Sequence, residues 1–75
     1  MSDHVYKLIE LVGSSQDSSD DAARRAIEYA AKTIHNMRWA EVVETRAHIE
    51  NQTIGHWQVK LRIGFTLEGS TSTDA

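Results

Sequence analysis

The chain has 75 residues, a formal net charge of -3, no cysteine and no proline, which leaves one small domain with no disulfide or cysteine-based metal site to brace it. At this length a folded monomer buries only about 60 to 65% of the surface its unfolded chain exposes, so burial against further copies of itself is expected. The scattered Lys and Arg residues argue against nucleic acid as a partner. No apolar run approaches the roughly 20 residues of a membrane span, and the start MSDHVYK lacks a signal-peptide core, so a cytoplasmic protein without a membrane partner is expected.

The segment HVYKLIELVG, from His4 to Gly13, is short and rich in Val, Ile, Leu and Tyr, and it stops at the polar cluster SSQDSSDD. It reads as a strand followed by a loop. Ser18 with Asp21 three residues on resembles a capping box, and Asp20 and Asp21 place negative charge at the positive end of the helix dipole, so a helix should begin near Ser19. Ala23, Ala26, Ile27, Ala30, Ile34 and Met37 then recur at spacings of three and four, giving one apolar and mostly small face. Lys32, His35 and Arg38 suit a C-terminal turn, and Asn36 can take the left-handed conformation that ends a helix, so the helix is expected to stop at about Asn36.

In HWQVKLRIGFTLE the odd positions Trp57, Val59, Leu61, Ile63, Phe65 and Leu67 are apolar, and His56, Gln58, Lys60, Arg62, Thr66 and Glu68 between them are polar. This alternation marks a strand with one covered face, on which Trp57 is a core residue. The preceding strand, about Arg38 to Glu50, alternates less strictly, and ENQT between the two can turn a hairpin. Pairing residues so that Val43, Thr45, Ala47 and Ile49 face Leu61, Val59, Trp57 and Gly55 puts both apolar sets on the helix side. The same register sets Arg46 opposite Gln58, Glu44 opposite Lys60 and His48 opposite His56 on the outer face. Trp39 then has the wrong parity to join them. Either a bulge re-aims the strand near its start, or Trp39 meets the polar patch across a subunit boundary. The last residues, GSTSTDA, read as a disordered tail after a domain spanning 1–68.

Taken together, VYKLIELVGSS at Val5, AAKTI at Ala30, WAEVVETRAHI at Trp39 and HWQVKLRIGFTLE at His56 resemble the dodecins, small flavin-binding proteins that assemble as hollow dodecamers. The resemblance implies an α+β protomer of strand, helix, strand and strand, its three-stranded antiparallel sheet wrapped around one helix, with a site shared between protomers. It implies further that Trp39 stacks on a flavin, that Gln58 reads the pyrimidine portion, that Glu44 lies near the ribityl hydroxyls and that Arg46 can hold the phosphate of flavin mononucleotide (FMN). Indole stacking buries a large flat area, and a glutamine amide offers a matching donor and acceptor. Arg38 and Ala40 stand where many bacterial members carry Asp and Phe, and Ala47 and Thr66 where they often carry Gly and Arg. These departures leave riboflavin and FMN both open.

No nucleophile beside a base and no glycine-rich phosphate loop can be read from the chain, so a non-enzymatic role is expected, and the resemblance implies that it is storing or sequestering flavin and quenching its photochemistry through tryptophan. The rival reading is a structural homo-oligomerisation module without flavin. His48 and His56 could begin a metal site, but the ligand set is incomplete and a solvated pair is the simpler reading.

Overall fold

A computed structural model describes residues 4–67, so the expected tail and Glu68 lie outside the described residues. The elements follow the order β1 (Tyr6–Ser15), α1 (Ser19–Ala30), β2 (Met37–Glu50) and β3 (Thr53–Thr66). All strand pairs are antiparallel and the sheet order is β1-β3-β2, with β3 in the centre. This is the expected α+β arrangement.

The helix begins where the capping residues place it. Ser18 is extended, and its Oγ accepts from the Asp21 backbone N–H at 3.0 Å. Behind this cap Ser15, itself buried, donates from Oγ to Asp21 Oδ2 at 2.7 Å and accepts from the Asp17 N–H at 2.9 Å. Asp21 also accepts from Arg25 Nε at 2.6 Å and Arg24 Nη1 at 3.0 Å, tying strand end, cap and first helical turns together.

The helix ends earlier than its apolar spacing implies. Its last residue is Ala30, and Lys32 and Thr33 donate to carbonyls three residues back, Tyr29 and Ala30, in the tightened turn that closes many helices. The β-branched pair Thr33 and Ile34 gives little reason to continue. Lys32, His35 and Arg38 therefore do not form a basic last turn, and Met37 opens β2 instead of completing a helical face. Asn36 does take a left-handed conformation, with φ 65°, but it turns the chain into β2.

The core lies between this helix and β3. Ala22 and Ala26 are buried against Val59 and Leu61, with Leu11, Ala23 and Ile27 packed around them, and Ala30 and Ile63 are buried as well. Small helical residues permit close approach to β1: a Cβ on Gly13 would collide with the Ala22 carbonyl and come within 2.8 Å of the Ala26 Cβ. The buried stripe thus keeps Ala26 and Ala30 of the face the spacing suggests, adds Ala22, and leaves Ala23 and Ile27 partly buried at its side. Trp57 is on the helix-facing side but only half-buried, outside this cluster.

Asn51 and Gln52, with φ of 51° and 66°, make the two-residue turn of the β2–β3 hairpin. The expected register holds from Glu44 opposite Lys60 to His48 opposite His56. It fails on both sides: Val42, not Val43, pairs with Leu61, and Ile49 pairs with Ile54, not Gly55. Irregularities between Met37 and Trp39, Val42 and Glu44, and His48 and Ile49 account for these shifts, since each bulge adds an unmatched residue.

Arg25 beside Asp21, and next the Ser15 hydroxyl, hold the Asp21 carboxyl below the usual carboxylate range. A depressed folded-state pKa contributes stability that is fully present above the ordinary Asp value of about 3.9 and is lost as pH falls through the folded value. Denaturation midpoints between pH 6 and pH 3 should therefore fall more steeply for the native chain than for Asp21→Asn.

Candidate functional site

The bulge at Val43 decides the geometry of the outer sheet face. Without it Trp39 would share the helix-facing parity; with it Trp39 pairs with Gly64 and Glu41 with Arg62, on the same side as Lys60 and Gln58. Of the two explanations for the parity misfit, the structure has the bulge. Trp39, Glu44, Arg46 and Gln58 all lie on one face. Along β3 the positions that match them, Gly64 and Gln58, are nevertheless roughly 20 Å apart at about 3.3 Å per residue.

Three of the four residues are in contact. Arg46 Nε donates to Gln58 Oε1 at 2.7 Å, Arg46 Nη1 lies 3.9 Å from Glu44 Oε2, and Lys60 Nζ lies 4.0 Å from Glu44 Oε1. All four side chains remain partly open to solvent, so these pairs fix orientation more than they stabilise the fold. Gln58 Nε2 is 3.5 Å from His56 Nε2, and the His56 ring stacks on His48 with centroids 4.8 Å apart and planes inclined by 21°. His48 Nε2 in turn lies 3.7 Å from Glu50 Oε2. Among the described residues no group of three or more His, Cys, Asp or Glu side chains gathers as a metal-ligand set.

Trp39 stands apart from this row and is 43% exposed. Its indole lies over Gly64: a Cβ there would fall within the envelope of ring atoms Cε2, Cζ2 and Cη2 together. Tyr6 on β1 meets the indole edge-on, with centroids 5.0 Å apart and planes at 65°. The indole is thus seated on the backbone, with a second ring inclined against it. Beside it, Ile27, Met37, Arg38, Ala40 and Ile63 line an open recess of ≈ 280 Å³.

Gly64 and Tyr6 are the residues that sequence reasoning missed. The signal was present for Gly64, which interrupts the polar members of the β3 alternation, and a glycine inside a strand often marks close approach of another group. Nothing in the sequence distinguished Tyr6 from other strand residues. The departures Arg38 and Thr66 also meet: Arg38 Nε donates to Thr66 Oγ1 at 3.0 Å.

The chain is thus a small α+β protein of βαββ order whose sheet carries an exposed, backbone-seated indole and a separate polar row on one face. The Dodecin family model matches residues 5–68. The chain therefore belongs to the dodecin family. It is 41% identical over 64 residues to a dodecin from Thermus thermophilus, covering 85% of this chain and 93% of that protein. A calcium dodecin from Mycobacterium tuberculosis is 29% identical over 63 residues, covering 84% and 89%. The solved dodecin from Streptomyces coelicolor superposes with a TM-score of 0.86 at 44% identity, covering 91% of this chain and 97% of that one.

If Gly64 seats the indole, Gly64→Ala in a Trp57→Phe background should displace Trp39 and change its fluorescence emission maximum, with the circular dichroism spectrum retained. An unchanged Trp39 emission would show that the indole does not rest there.

Proposed function

We propose that this chain is a non-enzymatic flavin-binding protein that assembles as a hollow homo-dodecamer in the cytoplasm. It stores or sequesters riboflavin or FMN and dissipates the energy of the excited ring through Trp39. The observation that carries the reading is the pairing, on one sheet face, of an exposed indole whose other side is already seated with a row of hydrogen-bonding groups. An aromatic ring laid on the free face of Trp39 completes a stack, worth roughly 1 to 3 kcal/mol by analogy with bases stacked on aromatic side chains.

Gln58 supplies donor and acceptor to the pyrimidine portion, Glu44 accepts from ribityl hydroxyls, and Arg46 has guanidinium N–H groups for a phosphate when the ligand is FMN. Within one protomer, roughly 20 Å of strand separates the Trp39 and Gln58 positions, farther than the tricyclic ring reaches. The stack and the amide that serve one flavin therefore come from different protomers. Assembly has its own support: Val42, Val43, Ile49 and Ile54 are exposed on the hairpin, and Tyr6, Leu8 and Val12 on β1. A structural module without ligand would use the same apolar surface and would leave Trp39 and the polar row without a task.

Riboflavin titrated with micromolar protein should lose its fluorescence, and Trp39→Ala should weaken binding by roughly 5- to 150-fold, the equivalent of the stacking term. Fluorescence that is unchanged at micromolar protein would favour the structural module.

A further inference from the structure

We infer that Arg46 is a positioning residue that acts through Gln58, setting which end of the amide faces acceptors and which faces donors; this rests on the flavin reading above. A glutamine amide can turn end for end, exchanging an oxygen that accepts for a nitrogen that donates at almost no cost in shape. A free Gln58 would present both arrangements. A flavin's pyrimidine edge, where one N–H sits between two carbonyl oxygens, is matched by an acceptor and a donor in a definite order.

Two neighbours select that order. Arg46 is directly across the ladder from Gln58, and its Nε is 2.7 Å from Gln58 Oε1. Guanidinium has no acceptor, so it can pair only with the oxygen end, and the bond is charge-assisted. The nitrogen end is then left toward His56 Nε2, 3.5 Å away, which accepts when that ring carries its proton on Nδ1. The His56 ring is itself held by its stack on His48. Arg46 is steered in turn by Glu44 at 3.9 Å, and Glu44 by Lys60 at 4.0 Å. What remains for a ligand is one N–H and one oxygen lone pair in a fixed sequence.

This role differs from holding phosphate. The phosphate of FMN hangs at the end of the ribityl chain, away from the pyrimidine edge that Gln58 reads, whereas the Arg46 Nε sits on the reading amide itself. Loss of Arg46 therefore weakens riboflavin, which has no phosphate, as well as FMN.

The test is a double-mutant cycle read by flavin fluorescence, with riboflavin and FMN titrated separately into the native protein, Arg46→Ala, Gln58→Ala and the double variant. Arg46→Ala should weaken riboflavin about tenfold, the scale of one hydrogen bond to a charged group. FMN should weaken by at least as much. In the Gln58→Ala background, removing Arg46 should change riboflavin affinity by less than about twofold. Arg46→Lys, which keeps a charged donor without the planar fork, should recover part of the riboflavin affinity, and size-exclusion elution should be the same for every variant. An Arg46→Ala loss confined to FMN would overturn the inference, as would an undiminished riboflavin loss in the Gln58→Ala background; either leaves flavin binding intact. A native protein that quenches neither flavin would overturn the flavin reading and this inference with it.

Discussion

A helix of 12 residues is roughly 18 Å long, whereas strands of 14 residues run roughly 46 Å. One such helix cannot cover such a sheet. The described residues extend over 55 × 20 × 14 Å, and their buried apolar side chains are Ala22, Ala26 and Ala30 on the helix and Val59, Leu61 and Ile63 on β3. Most of the outer face and nearly all of β2 are left to solvent or to other copies. An edge strand of this length with exposed Val42 and Val43 is the kind of surface that another subunit covers. The uncovered face is also where the candidate site lies, so shortage of core and location of function have one cause.

The bulge at Val43 acts on that uncovered face. Adding one unmatched residue reverses the side on which the start of β2 presents its side chains, carrying Trp39 from the helix side to the outer side. Gly64 then admits the indole against the backbone and Tyr6 packs at an angle to it, leaving Trp39 43% exposed. The polar row from Glu44 to Gln58 keeps the regular register and so keeps its own contacts. On the proposed function the two parts come together only between protomers, which makes assembly a condition of binding.

Much of this was legible in the residues. Ser18 and Asp21 mark the helix start because a cap is a local device with a local signature, and the β3 alternation fixes its buried face because the period of a strand is two. The pairing of Arg46 with Gln58 followed from matching those faces. The helix end was not legible: Ile34 and Met37 continue the helical spacing by position, while the chain turns at Ala30 under a tightened hydrogen-bond pattern that spacing does not encode. The bulge left only a misfit, Trp39 on the wrong parity, since a bulge is a property of two strands and not of one. The stack on Gly64 depends on that bulge, so it was hidden for the same reason. The family resemblance implies roles for Gln58, Glu44 and Arg46, which the residues alone leave as solvated strand positions, and for Trp39, which they leave as a core or subunit-packing residue.

On the proposed function, the flavin site exists only where copies of this chain meet. Sedimentation velocity with simultaneous absorbance at protein and flavin wavelengths tests it most directly. Riboflavin should co-sediment with a dodecamer at about one flavin per protomer, with none bound to any slower species. Flavin carried by a monomer, or a dodecamer that sediments free of flavin, would contradict it.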